Sequence, residues 1–83
     1  MCLGIPGRIT EVWDGADGGR FARVRFPGEI KTACLAYRPD LEVGDYTIVH
    51  AGFALTRIDE TAALQTLVTM REYGVFDAGQ AIL

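Results

Sequence analysis

Through the first two-thirds of the chain, apolar residues come in short runs broken by turn-forming residues. The clearest run is Phe21-Ala22-Arg23-Val24-Arg25-Phe26, where Ala22, Val24 and Phe26 share one face and Arg23 and Arg25 the other. A period of two over this length predicts a half-buried strand. Runs over residues 5–13, 30–37, 46–51 and 53–58, rich in Val, Ile, Phe and Tyr, predict four more. Between them lie Asp14-Gly15, Asp17-Gly18-Gly19, Pro27-Gly28, Arg38-Pro39-Asp40 and Val43-Gly44-Asp45, residues that accept or preset turn conformations. Gly52, between the last two runs, reads as a bulge or a sharp bend. Five short strands with frequent turns predict a mainly β fold, a closed or partly closed barrel that removes exposed sheet edges.

The pattern changes at Asp59, whose side chain is suited to cap a helix, with Glu60 adding negative charge in the first turn. Ala63, Leu64, Leu67 and Val68 recur at helical spacing, Met70 widens the stripe, and Gly74 is a natural stop. Such a helix has to cover the barrel or a partner. The expected organisation is one domain: barrel over about 1–58, helix over about 59–73, and a short apolar tail over 74–83 that packs back or serves as an interaction segment.

Composition narrows the function classes. The chain has 83 residues, 49% hydrophobic and 23% charged, enough for one modest core and little room for a deep pocket. That weighs against an enzyme. Eleven acidic against eight basic side chains give a formal charge of −3, and Lys31 is the sole lysine, which argues against nucleic acid as a partner. Arg20, Arg23 and Arg25 form the one local basic cluster and read as a solvated strand face. No run approaches the roughly 20 apolar residues that span a bilayer, and no signal peptide is expected. Two cysteines make a poor disulfide framework, so a cytoplasmic protein with free thiols is expected.

Three residues are candidates for chemistry. Cys2 follows Met1, whose removal would set its thiol beside an α-amino group; the ammonium favours the thiolate, and the neutral amine and sulfur together suit a metal. Cys34 lies within an apolar run and reads as a buried small hydrophobe. His50, the single histidine, is suited either to metal binding or to a structural role in its strand. Cys2, Cys34 and His50 are one ligand short of a closed structural zinc site. No nucleophile–base pair or phosphate-cradling loop is evident.

The opening Met1-Cys2-Leu3-Gly4-Ile5-Pro6-Gly7, the run from Val43-Gly44-Asp45-Tyr46 through Val49-His50-Ala51-Gly52-Phe53-Ala54, and Ile58-Asp59-Glu60 resemble the HypC/HupF family of [NiFe]-hydrogenase maturation chaperones. The resemblance extends from Met1 to about Gly74. It implies an OB-like β-barrel with a helical C-terminal part, and a partner, HypD, with which the chaperone holds an Fe(CN)2CO unit for delivery to the precursor of the hydrogenase large subunit. Carried over by position, Cys2 matches the family's iron-binding cysteine and His50 its characteristic histidine, while Gly4 stands where many members have alanine. The expected partner-binding patch is Leu3, Gly4, Ile5 and Pro6, with Pro6 stiffening the base from which Cys2 is presented. A thiolate is a good donor to iron bearing such ligands. The rival readings are a metal-free OB-fold module for oligonucleotide or protein, and a small thiol redox enzyme using Cys2 and Cys34.

Overall fold

The computed structural model describes residues 4–74. Five strands, β1 (Pro6–Asp14), β2 (Arg20–Phe26), β3 (Glu29–Cys34), β4 (Tyr46–His50) and β5 (Phe53–Ala54), are followed by one helix, α1 (Glu60–Glu72). The strands close into a barrel in the order β1-β2-β3-β5-β4. Every pairing is antiparallel except β3 with β5, which is parallel. A three-strand meander whose last strand runs parallel to the fifth is the arrangement of an OB-like barrel.

The period of two in β2 is realised as read: Ala22 and Val24 are fully buried, while Arg23 and Arg25 are exposed. Ile9, Ala22, Val24, Ala33, Leu35, Leu41 and Ala54 form the barrel core, flanked by Val12, Phe26 and Val49. Three alanines among seven core residues suit the narrow interior of a five-stranded barrel, where side chains from opposite walls nearly meet. Gly7 belongs to the same constraint. A Cβ there would stand 2.5 Å from Val24 Cγ1 and 2.6 Å from Phe26 Cε1.

Two strands are shorter than their apolar runs. The third ends at Cys34, after which the Leu35 amide turns to donate to Arg20 O at 2.8 Å and Leu41 enters the core. The fifth stops at Ala54 because its pairing with β4 slips: Val49 opposes Ala54, yet Tyr46 opposes Ile58. Across the slip the Ile48 amide donates to the Thr56 hydroxyl at 3.3 Å instead of to a backbone carbonyl. Arg20 also departs from the expected solvated face. It shares strand parity with Ala22 and Val24, is half-buried, and donates from Nη2 to Leu41 O at 3.2 Å, closing one barrel mouth.

The loop from Leu35 to Asp45 is held by charge. Arg38 grips Asp40 through both oxygens, at 3.0 and 2.8 Å, and Arg57 reaches the Asp40 and Asp45 carboxylates at 3.5 and 3.2 Å. The hydrogen bonds from Arg38 hold the Asp40 carboxyl at about 2, below the ordinary carboxylate range.

Asp59 caps the helix as expected, accepting from the Ala62 amide at 3.3 Å. The helix packs along β1 and buries Ala63 and Leu67, but Leu64 is half-buried and Val68 is 38% exposed. Among the described residues a single i, i+4 line, Ala63 and Leu67, is fully buried, with β1 the main strand against the helix. The expected tail at 75–83 lies outside the described residues.

Replacing Gly7 with alanine should lower stability by about 1–3 kcal/mol through overpacking against Val24 and Phe26. A denaturant midpoint indistinguishable from that of the parent would show that the barrel interior has room to spare.

Candidate functional site

Register brings together residues far apart in sequence. Trp13 opposes Phe21, Phe21 opposes Cys34, Cys34 opposes Phe53 and Phe53 opposes His50, a continuous row across β1-β2-β3-β5-β4. Directly opposed residues point to the same face of a sheet. Each neighbour of this row in β2 and β3, Ala22 and Ala33, points into the core. The row therefore runs along the outside of the barrel. Trp13 and Phe21 stack with centroids 6.3 Å apart, Arg23 lies 5.9 Å over the Trp13 ring, and Tyr37 meets Phe53 edge-on at 5.2 Å.

Cys34 is thus not the core residue expected. It is half-buried on the outer face, wedged between Phe21 and Phe53, while Ala33 and Leu35 fill the interior on either side. His50 is exposed at the end of β4. Phe53 stands between it and Cys34, so their backbones are two strand spacings, about 10 Å, apart. Among the described residues no three His, Cys, Asp or Glu side chains gather closely enough to hold a metal ion.

The turn after His50 is tight. Ala51 (φ +54°) and Gly52 (φ +84°) are its two corner residues, joining β4 directly to β5. Two consecutive positive φ values match the twist of a two-residue hairpin. The Gly52 carbonyl oxygen then accepts from the Cys34 amide at 2.8 Å, so the turn also anchors the barrel seam. Short and pinned, it fixes the direction in which the His50 imidazole leaves the barrel.

The N-terminal segment reaches the same end of the barrel. In the β1–β4 ladder Pro6 opposes Ile48, Gly7 opposes Thr47 and Arg8 opposes Tyr46. From Pro6 the chain runs back through Ile5 to Gly4 as β4 runs on through Val49 to His50. Ile5 and Gly4 are half-buried, and a Cβ at Gly4 would touch Ile48 Cδ1 at 4.0 Å. Pro6, expected in the exposed patch, is instead fully buried. Its ring takes a wall position in the strand and anchors the segment, leaving Gly4 and Ile5 as the described part of that patch. Cys2 and Leu3 lie outside the described residues.

Tyr37 and Phe53, which sequence reading passed over as site residues, form the wall beside His50. The available signal was the exposed aromatic of the Leu35-Ala36-Tyr37 run next to a turn; the pairing to Phe53 needs the fold. No helix of the described residues is long and apolar enough to cross a membrane.

Comparison with known proteins matches residues 1–70 to the HupF/HypC family. Among characterised relatives, the chain is 46% identical over 76 residues to the hydrogenase maturation factor HypC of Synechocystis sp., covering 90% of this chain and all of the relative. It is 45% identical over 74 residues to HypC of Azotobacter chroococcum, covering 89% of this chain and 83% of that one. The Escherichia coli K12 hydrogenase maturation factor HybG is 36% identical over 77 residues, covering 87% of this chain and 90% of the relative.

Because Ala51 holds a left-handed conformation, Ala51→Val should cost about 1 kcal/mol or more. Ala51→Gly should leave stability within about 1 kcal/mol of the parent, relief of strain being offset by the freer unfolded chain. Thermal unfolding of the two variants checks this, and equal melting points for the valine and glycine proteins would contradict it.

Proposed function

The chain belongs to the HupF/HypC family, and on that premise we propose that it is a hydrogenase maturation chaperone that carries an Fe(CN)2CO unit through Cys2. A HypD-type protein is the partner with which the unit is held, and the precursor of the [NiFe]-hydrogenase large subunit is the recipient. The iron unit is cargo, handed on after each cycle, and the protein is a carrier rather than an enzyme. Its workplace is a reducing cytoplasm in which the thiols stay free.

The observation that carries this reading is the convergence of the N-terminal segment and His50 at one end of the β1–β4 pair, with Pro6 opposite Ile48 two residues from each. Cys2 is joined to this end through Leu3 and Gly4. Two residues of chain span at most about 7 Å, so the connection from Gly4 is long enough for the Cys2 thiol to act beside His50 and the Phe53–Tyr37 wall. The thiolate supplies one soft donor, leaving the other positions on iron to its cargo ligands and to the partner. One protein donor favours release as much as capture, as a relay requires. His50, exposed and held by its short turn, is suited to donate a hydrogen bond to the nitrogen of a bound cyanide, or to exchange one with a partner group, while the thiolate is exchanged. The aromatic wall excludes water from one side of the site once a partner docks on the other.

Replacing Cys2 with Ala or Ser should abolish hydrogenase maturation without moving the melting point. His50→Ala should reduce maturation and leave the fold intact. The check is complementation of a deletion strain together with infrared spectroscopy of the co-purified complex, where bound CO and CN give separate bands. Full hydrogenase activity with Cys2→Ala would refute iron carriage through this residue. Charge insertions Leu3→Glu and Ile5→Glu should weaken capture of the HypD-type protein and of the precursor in pull-downs. Wild-type capture by both folded variants would place the docking surface elsewhere.

A further inference from the structure

A second row crosses the barrel near the opposite end of β4, exposed at Arg8, Arg25 and Ile30 and covered at Tyr46. Tyr46 opposes Arg8, Arg8 opposes Arg25, and Arg25 opposes Ile30. Tyr46 and His50 are four positions apart along β4, about 13 Å of strand, so this surface is separate from the candidate iron site.

Two arginines stand directly opposite each other on neighbouring strands, with Cβ atoms about 5 Å apart. Like charges in that relation are destabilising, and a folded chain usually neutralises them with an acid. Here the acids of the flanking sheet positions, Glu11 and Glu29, are engaged elsewhere. Glu11 pairs with Arg23 at 3.2 Å and Glu29 with Lys31 at 3.8 Å. Among the described residues neither Arg8 nor Arg25 has an ion-pair partner, and both are exposed. Beside them Ile30 is 59% exposed although its strand carries it into the same row. An apolar anchor next to two uncompensated guanidinium forks, in a chain whose net charge is −3, is a local reversal of the protein's overall electrostatics.

We propose that Arg8, Arg25 and Ile30 form a docking site for an acidic segment of a protein partner, one with an apolar residue beside its carboxylates. The forks on a rigid sheet match carboxylates two oxygens at a time, and binding removes the repulsion that the free protein carries. Ile30 is covered by the apolar residue and supplies the desolvated centre that a specific contact requires. Nucleic acid fits less well. A polyanion is repelled by the net negative charge at long range, two arginines neutralise few phosphates, and a backbone of phosphates offers nothing to Ile30.

The test uses the full chain without iron and a labelled Glu-Glu-Leu-Glu-Glu peptide, with Gln-Gln-Leu-Gln-Gln and a short oligothymidylate as controls. Fluorescence anisotropy should show binding of the acidic peptide alone, weakened when NaCl is raised about tenfold. Amide shifts in NMR should centre on Arg8, Arg25 and Ile30. Arg8→Gln and Arg25→Gln should each weaken binding by about tenfold, and Ile30→Ser should weaken it too. Arg25→Gln should also melt at or above the parent temperature, because a repulsion is lost. Absence of peptide binding, tighter binding of the oligothymidylate, or wild-type affinity in both arginine variants would overturn the proposal. None of these outcomes bears on Cys2, so iron carriage stands or falls on its own experiment.

Discussion

The barrel seam depends on one parallel pairing, Cys34 with Phe53, where the Cys34 amide donates to Gly52 O at 2.8 Å. Strand β5 contributes only Phe53 and Ala54, so closure relies on the tight Ala51–Gly52 turn to deliver them to β3. Without that delivery β3 and β4 would each present an open edge. The same geometry sets the size of the interior. Five strands leave room for alternating small and large residues, and Ala22, Ala33 and Ala54 face Ile9, Val24, Leu35 and Leu41 within it. Gly7 is the extreme case, a position where any side chain meets Val24 and Phe26.

Closure also determines what lies outside. Among the described residues the barrel interior is filled by the packed core side chains, so the candidate site lies on its outer surface. The pairing that shuts the seam puts Cys34, Phe53 and His50 in one outer row, with Tyr37 leaning on Phe53. The turn that holds the seam also aims His50. Structural stability and site geometry therefore rest on the same few residues.

Charge is distributed with similar economy. Arg38, Asp40, Arg57 and Asp45 fasten the long β3–β4 connection to the segment after β5. Exposed pairs of this type contribute little individually, yet as a network they add to the three backbone turn bonds, Arg38 to Leu35, Leu41 to Arg38 and Asp45 to Glu42, that shape the loop. Glu11 and Glu29 are taken by Arg23 and Lys31, which leaves Arg8 and Arg25 without an ion-pair partner among the described residues.

The sequence by itself determined the local structure. Period-two alternation located β2 and its buried face, turn residues marked the ends of the strands, and Asp59 marked the start of the helix, since each of these depends on interactions within a few residues. Near the N-terminus and around His50, the motif residues pointed to the family before any fold was known. What only tertiary structure decided was which residues meet across strands. In Thr32-Ala33-Cys34-Leu35 three successive apolar residues leave the parity of Cys34 open, and closure against β5 placed it outside. Pro6 looked like surface in a short apolar segment and became wall, because β4 pairs alongside it. Phe53 to Ile58 read as one strand, whereas a one-residue slip against β4 ended it at Ala54. Arg8 and Arg25, far apart in the chain, face each other solely because the β1–β2 register sets them opposite. Register is a long-range property, fixed by the whole barrel closing at once, and no local pattern carries it.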